Sequence, residues 1–242
     1  MCWHAGRRDR SSVGMPGTLA LLSLCMGIIT GCRESTPVTE PGRTTPIILQ
    51  MTEGDTYLYD HWALDEYGYQ VKASKQPELW RVDQTGIMVE GATGVTVIID
   101  SMDTQHIDTL LLRSTMDGDI YQYGFIARLV KQMSGKTLVP QWDLIVRSGR
   151  MSDAIWPVGV ADPAFIDTVY GRMTAAPVYF AAQVNGEPSA FPAYRVELSG
   201  TSVQFVFWVT DSPSCFPGFW EESTSLGNGF EAYLASAVIA RR

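Results

Sequence analysis

The chain has 242 residues, with 18 Lys or Arg against 26 Asp or Glu, so its net charge at pH 7 is −8. This acidic balance, without any basic stripe, excludes a protein that binds nucleic acid or anionic lipid through clustered phosphate contacts. A chain of this length fits one β domain as well as two small domains.

The N-terminal segment has the pattern of an export signal. Arg7, Arg8 and Arg10 form a basic region, and an almost uncharged apolar stretch follows over residues 15–31. This stretch is shorter than the roughly 20 residues that a membrane-spanning helix needs, and small residues end it. The sequence therefore predicts a cleaved signal peptide over residues 1–31, rather than a permanent anchor or a buried core helix.

Two cysteines lie in or beside the apolar stretch, and only one of them fits a cleavage site. Cys32 follows the sequence I-T-G, whereas Cys25 follows the bulky Leu24. The sequence I-T-G-C resembles the lipobox of bacterial lipoproteins, in which an aliphatic residue, a small or β-branched residue and Gly or Ala precede the lipidated cysteine. The resemblance implies a diacylglyceryl thioether on Cys32 and an amide-linked acyl chain such as palmitate, which together anchor a protein stably.

The same resemblance implies a lipid-anchored protein of the bacterial cell envelope. Arg33 is not a retention signal by the enterobacterial sorting rule, so the outer membrane is the expected location. Residues 32–46 lack apolar periodicity and are rich in Pro, Thr and Glu. They are predicted to form a flexible tether with an average span of about 20 Å. The globular, β-rich domain is predicted over residues 47–242.

Cleavage would change both the charge and the cysteine content. Residues 1–31 contain three Arg and one Asp, so their removal brings the net charge to about −10. The two remaining cysteines are the lipidated Cys32 and Cys215, which leaves Cys215 without an intramolecular partner. No disulfide framework can stabilise the monomer, and its stability must come from a hydrophobic core.

From residue 47 onward, short β-branched and aromatic runs are separated by Gly, Asp and Asn at intervals of about ten residues. The run over 55–64 places Tyr57, Tyr59 and His61 on one face of a strand, and the turn sequence D-E-Y-G follows it. This spacing predicts a mainly β protein, built as a single antiparallel curved sheet or half-barrel, or as a sandwich, rather than from βαβ units.

Three further segments have specific predictions. The run I-Y-Q-Y-G-F-I-A-R-L-V, residues 120–130, is predicted to continue the sheet. One short helix is predicted from Asp162, which can cap it, through Pro163 at its first position to Gly171 at its end. Residues 230–240 fit either a helix or a closing strand, and the strand is preferred.

The body also resembles uncharacterised β-rich bacterial lipoproteins. The resemblance is carried by G-D-T-Y-L-Y near its start and Y-L-A-S-A-V-I-A-R-R near its end. Those proteins open with a Gly-Asn-x-Trp-x-Tyr motif, in which Asp55 here replaces Asn and Tyr57 replaces Trp. Some exported proteins of this make-up, such as the lipoprotein carriers of the Lol pathway, hold lipid in the concave face of a curved sheet. By this analogy a lipid-like ligand is expected.

The sequence contains no motif of the common enzyme classes. It has no G-x-S-x-G, H-E-x-x-H, C-x-x-C, P-loop or G-x-G-x-x-G. His106 and Asp108 would share a strand face near Asp103, but a catalytic zinc usually needs three protein ligands. Glu221 and Glu222 would point to opposite faces of a strand. We therefore predict no catalytic residue, no metal and no cofactor, and favour a protein that is not an enzyme.

The candidate ligand-binding surface is the segment S-P-S-C-F-P-G-F-W-E-E-S, residues 212–223. Its prolines and glycine predict a loop, and Phe216, Phe219 and Trp220 make that loop unusually apolar. Such a loop either folds back into the core, which is the default for aromatic residues, or presents an apolar patch to a ligand, a membrane or a protein. Cys215 has no basic neighbour in the sequence, so it is expected to be a small buried residue rather than a reactive thiol.

Two functions fit these features. The first is a membrane-anchored envelope lipoprotein whose curved sheet binds an apolar or lipid-like ligand, with tryptophans of the body supplying part of the lining. The second is a β-sandwich interaction module that holds a protein or a glycan at the cell envelope. An enclosed apolar cavity would favour the first, and an exposed row of tryptophans the second. The expected partners are the membrane, through Cys32, and a lipid-like ligand or an envelope protein.

The lipobox predicts the effect of two single substitutions. Cys32→Ala should release the protein from the membrane fraction, because the acyl chains that anchor it can no longer be attached. Cys25→Ala should leave the protein anchored and serves as the control. Membrane fractionation and labelling with a clickable palmitate analogue measure both effects, and a labelled Cys32→Ala protein would contradict the assignment.

Overall fold

The computed structural model describes residues 47–103, 107–148, 155–159, 168–174, 177–200, 203–210, 213, 215–223 and 228–240. The contacts of the chain divide it into two units, Met1–Thr39 and Glu40–Arg242, and every described residue belongs to the second. The predicted signal peptide and tether lie outside the described residues. Within the described ranges, no helix is long and apolar enough to cross a membrane.

The described chain contains thirteen strands and one α-helix, and a short 3₁₀ turn at Lys72–Ser74. In chain order the elements are β1 (Thr56–Leu64), β2 (Gln76–Val89), β3 (Ala92–Ser101), β4 (Ile107–Ser114), β5 (Ile120–Tyr123), α1 (Phe125–Ser134), β6 (Trp142–Val146), β7 (Ile155–Pro157), β8 (Tyr170–Met173), β9 (Val178–Val184), β10 (Glu187–Ser199), β11 (Val203–Val209), β12 (Gly218–Ser223) and β13 (Asn228–Val238).

All thirteen strands belong to one sheet. Strands β1 to β6 form a meander in which each strand pairs antiparallel with the next. β1 also pairs antiparallel with β13, and the sheet continues from β13 through β12 and β11 to β10. β9 pairs antiparallel with β10 and parallel with β13, which closes a ring of five strands. The predicted mainly β class, with an antiparallel sheet and one short helix, is confirmed.

The aromatic face predicted for β1 is its buried face. Tyr57 and Tyr59 are fully buried and His61 is nearly so, whereas Leu58 on the opposite face is 37% exposed. Tyr57 and Tyr59 belong to a hydrophobic core that joins the meander, α1 and the ring. Alternation along the strand groups these three side chains on one face, and that face is buried although it carries the more polar side chains.

The prediction that residues 120–130 form a strand is wrong beyond Tyr123. The chain turns at Gly124, whose φ of 72° is left-handed, and α1 begins at Phe125. Ile126, Leu129 and Val130 pack into the core from one face of this helix. The side chain of Asp143 accepts a hydrogen bond from the Ile126 N–H at 2.8 Å, which satisfies one of the free N–H groups of the first helical turn.

The predicted helix over 162–171 falls partly on residues 160–167, which lie outside the described ranges. Its predicted end is wrong, because Gly171 lies in β8. A Cβ atom at Gly171 would clash with the indole of Trp156, so only glycine lets the strand approach this buried ring so closely. The sequence pattern was interpreted as ending a helix at this glycine, whereas in the structure the glycine allows close packing against Trp156.

The predicted loop over 212–223 is also wrong in its second half. From Gly218 onward the chain forms β12, which pairs with β11 and β13 on its two sides. The preferred strand for residues 230–240 is confirmed by β13. Because both of its neighbours are strands, β12 completes the sheet although Pro217 precedes it and Gly218 begins it.

A buried carboxylate connects the start and the end of the described chain. Asp55 is 1% exposed, and its two oxygens accept hydrogen bonds from the N–H groups of Thr52 and Ala240, each at 2.7 Å. Tyr57 Oη lies at 3.5 Å from the same side chain. The carboxylate thus holds β1 against the residues that follow β13.

Asp55→Ala should lower the free energy of unfolding by about 2–4 kcal/mol, because two N–H groups lose their partner at a buried site. Asp65→Ala is the matched control. Asp65 also accepts two backbone N–H groups, from Tyr67 and Tyr69, but in an exposed turn where water can replace it, so the loss should stay below about 1 kcal/mol. Urea unfolding measures the loss of stability in both variants, and equal losses would contradict this structural role of the Asp55 carboxylate.

Candidate ligand-binding cavity

A cavity of about 590 Å³ lies between the inner face of the meander, α1 and strands β11 to β13. This volume is within the roughly 300–1,000 Å³ that small-molecule sites occupy. Exposed side chains of Ile107, Asp108 and Gln132 line its mouth. The interior has an apolar wall and, across from it, a group of polar side chains.

The apolar wall is mainly aromatic. The side of the cavity formed by the five-stranded ring, here called the ring side, supplies five phenylalanines: Phe205, Phe207, Phe216, Phe219 and Phe230. From the meander, Trp80 stacks on Phe219 with ring centroids 5.8 Å apart and meets Phe216 edge-on at 5.7 Å. Strand alternation places Phe205 and Phe207 on one face of β11, and the register places Phe219 directly opposite Phe207. The wall is therefore built by neighbouring strands of one sheet.

The polar side chains come from a cross-strand row on the meander. Asp100 of β3 lies opposite Trp80 of β2 on one side and opposite Asp108 of β4 on the other. Glu78 precedes Trp80 by two residues and therefore shares its inward face. Trp80 Nε1 donates a hydrogen bond to Glu78 Oε1 at 2.8 Å. Three carboxyl groups thus approach one another on the meander side of the cavity.

Burial raises the pKa of two of these carboxyl groups. The pKa of Glu78 is raised to about 8 by its removal from water and by the nearby charge of Asp100. The pKa of Asp100 is raised to about 6 by burial, although the charge of Arg128 opposes the increase. Glu78 and Asp100 are also joined by a side-chain hydrogen bond. At neutral pH the pair therefore holds one proton and one negative charge.

Arg128 is the cation of the cavity. It projects from α1, and its Nη1 lies 3.5 Å from Asp108 Oδ2 near the mouth. This ion pair is partly exposed, so it contributes little to stability. However, the guanidinium of Arg128 is already paired with Asp108. The negative charge of the Glu78 and Asp100 pair is therefore only partly compensated.

Two buried polar atoms of the cavity have no hydrogen-bond partner. They are Nδ1 of His61 and Oδ1 of Asp100. His61 is 9% exposed, and its ring lies 5.0 Å from that of Phe230. Burial lowers the pKa of His61, so the imidazole is neutral at pH 7 and can present Nδ1 as an acceptor. Because buried polar atoms are normally paired, both atoms mark a place where a bound molecule could donate hydrogen bonds.

The geometry argues against a glycosidase carboxylate pair and against a reactive thiol. The carboxyl groups of Glu78 and Asp100 are in hydrogen-bond contact, whereas glycosidases need about 5 Å or more between theirs. Cys215 is fully buried and burial raises its pKa, which opposes formation of a reactive thiolate. Among the described residues, no group of three or more His, Cys, Asp or Glu side chains could hold a metal ion.

Two of the three predicted ligand-binding residues line the cavity. Phe216 and Phe219 are 5% and 6% exposed, and both belong to the aromatic wall. Trp220 is half-buried and is not part of the lining. Cys215 is a free, buried cysteine, as expected. Cys32, the predicted lipidation site, lies outside the described residues.

The tryptophans do not form an exposed row. Trp80 and Trp156 are buried, and the other four tryptophans of the body are half-buried: Trp62, Trp142, Trp208 and Trp220. Of the six, Trp80 alone lines the cavity. The expectation that tryptophans supply part of the lining therefore holds for one residue, and phenylalanines supply most of the aromatic surface.

The remaining candidates contribute little to the cavity. His106 lies outside the described residues, and of its predicted partners Asp108 reaches the cavity mouth. Glu221 and Glu222 lie in β12, but their side chains are outside the described set.

Sequence reasoning did not single out Glu78, Asp100 or Arg128. A signal was present, since Glu78 alternates with the inward-facing Trp80 and Val82, and a charged residue on an apolar face is unusual.

Comparison with known proteins does not assign a family. No family model and no curated protein matches the sequence. Among solved structures, the chain is similar to a "putative exported protein with YmcC-like fold" from Bacteroides fragilis, with 8% identity, coverage of 79% of this chain and 99% of that chain, and a TM-score of 0.36. It is also similar to a "putative lipoprotein" from Parabacteroides distasonis, with 8% identity, coverage of 81% and 99%, and a TM-score of 0.37. At these values neither resemblance identifies a function.

The carboxyl pair predicts a pH dependence of stability. In the unfolded chain Glu78 releases its proton near pH 4.5, but in the folded protein near pH 8, so the unfolded state binds fewer protons between these values. The free energy of unfolding should therefore fall as the pH rises through this window. Two charged side chains lie near Glu78, those of Asp100 and Arg128. Tyr59 on β1 stays neutral, because burial raises its pKa.

Glu78→Gln removes the ionisable group and keeps a hydrogen-bonding side chain. Between pH 5 and pH 8 the variant should lose less stability than the unmodified protein, by on the order of 1–3 kcal/mol. Glu187→Gln, at an exposed position of β10, is the control and should behave like the unmodified protein. Urea unfolding at the two pH values measures the difference, and parallel losses in all three proteins would contradict a buried proton on Glu78.

Proposed function

We propose that this protein is a membrane-anchored lipoprotein of the bacterial cell envelope that holds an apolar or amphipathic ligand in its cavity. The envelope location is supported by the basic and apolar N-terminal segment and by the I-T-G-C sequence ending at Cys32. On this proposal, residues 1–31 are removed, Cys32 is lipidated, residues 32–46 act as a tether, and the anchor lies in the outer membrane.

The observation that carries the ligand proposal is the cavity itself. Its volume of about 590 Å³ and its aromatic wall fit the concave, mostly apolar sites that bind small molecules. An acyl chain placed there gains about 0.8 kcal/mol for each CH₂ group removed from water, before the entropic costs of binding. The polar side chains on the opposite wall would orient one end of such a molecule.

The alternative, a module that holds an envelope protein or a glycan through an aromatic rim, has less support. None of the six tryptophans of the body is fully exposed. Exposed tyrosines occur at the turn after β1, where Tyr67 and Tyr69 are 75% and 71% exposed. Two side chains on one turn are a small surface compared with the interfaces of specific complexes.

The ligand proposal is tested by photolabelling the full-length protein in membranes with a neutral dodecanol analogue that carries a diazirine on its chain. The label should map to peptides that line the cavity, such as those containing Trp80 or Phe219. Leu110→Trp should reduce this labelling several-fold, because Leu110 lines the cavity and the larger indole would occupy its space.

Leu79→Trp is the matched control for this substitution. Leu79 lies on the opposite face of β2, next to Trp80, and is 39% exposed, so the added indole points away from the cavity. Its labelling should equal that of the unmodified protein. Labelling that is spread over the outer surface, or that is insensitive to Leu110→Trp, would contradict a ligand in the cavity.

A further inference from the structure

The cavity contains hydrogen-bond acceptors whose partners are missing. Asp100 Oδ1 and His61 Nδ1 are buried and unpaired, and both residues line the cavity. The His61 side chain is more than nine-tenths buried, so bulk water does not satisfy it. Leaving a buried polar atom unpaired is unfavourable, and a ligand that donates a hydrogen bond to one of these atoms would remove that cost.

The charge balance of the cavity selects the kind of donor. Three carboxyl groups, those of Glu78, Asp100 and Asp108, face one guanidinium, that of Arg128. Arg128 is already paired with Asp108. An anionic head group would therefore meet uncompensated negative charge in a site of low dielectric, whereas a cationic head group would be attracted.

Resting on the proposed function, we infer that the cavity selects a single-chain amphiphile with a primary ammonium group. Its alkyl chain lies against the phenylalanines of the ring side, and its ammonium donates a hydrogen bond to Asp100. A primary ammonium has three N–H donors, as the side chain of lysine has, and can satisfy the unpaired Oδ1 while it carries a positive charge.

The aromatic wall supports a cation as well as an apolar chain. Asp100 lies directly opposite Trp80 in the β2 to β3 pairing, so an ammonium held by Asp100 lies beside an indole ring. A trimethylammonium group would share this attraction but has no N–H to donate. A hydroxyl group has one donor and no charge. The charge-assisted hydrogen bond to Asp100 therefore distinguishes the primary amine from both.

Four photoactivatable probes with the same diazirine-bearing dodecyl chain test this inference. Their head groups are a primary ammonium, a trimethylammonium, a hydroxyl and a carboxylate, and each is applied to the full-length protein in membranes. We expect cavity peptides to be labelled most by the primary ammonium, about tenfold more than by the carboxylate at equal membrane concentration, with the other two between them.

Two variants locate the source of the preference. Asp100→Asn keeps the shape of the side chain and removes its charge, so the preference for primary ammonium over hydroxyl should fall to about one. Asp83→Asn, on the outer face of β2, is the control and should keep the preference. Labelling by the hydroxyl probe reports whether the cavity is intact in each variant.

The possible outcomes separate this inference from the function on which it rests. If no probe labels the cavity peptides, both the ligand proposal and the ammonium preference are wrong. If the carboxylate probe labels as strongly as the ammonium probe, or more strongly through Arg128, the cavity still binds amphiphiles but the inferred head group is wrong. A preference for ammonium that survives in an intact Asp100→Asn protein would also overturn the inference. The probe series on the unmodified chain is decisive even if the variant does not fold.

Discussion

The pairing of β1 with β13 is the constraint on which the rest of the described structure depends. It runs from Thr56 opposite Val238 to Leu64 opposite Gly229 and joins the meander to the ring. Because side chains alternate along a strand, this register decides that the face of β1 with Tyr59 and His61 lies in the core. A slip of one residue would turn that face outward and remove His61 from the cavity.

The inner face of the meander departs from the usual composition of a core. Glu78 and Asp100 lie where apolar side chains would pack best, and their burial is unfavourable for both ionised forms. Three contacts offset part of this cost: the Trp80 N–H, the proton held between the two carboxyl groups, and the charge of Arg128. A local conflict with the rules of stable packing is typical of a site kept for binding rather than for stability.

The sequence predicted the class of fold well because strand alternation and turn residues are local signals. It misplaced the helix because the apolar residues of 120–130 fit either a strand or a helix, and packing decides between them. The cavity could not be predicted, because Glu78, Asp100 and Arg128 come from three elements that meet only in the folded sheet. Phe216 and Phe219 were found by their unusual local composition, although β12 is a strand rather than the predicted loop.

The buried Asp55 carboxylate also affects how the chain folds. Its hydrogen bond to Ala240 spans 185 residues, and the β1 to β13 pairing is almost as distant in sequence. Contacts between distant residues form slowly, because a long loop must be closed before they contribute. The meander can form from sequence neighbours alone, whereas the ring and its junction with the meander both need the C-terminal strand β13. A chain that crosses a membrane N-terminus first would therefore remain open along one edge of β1 until its translocation is nearly finished.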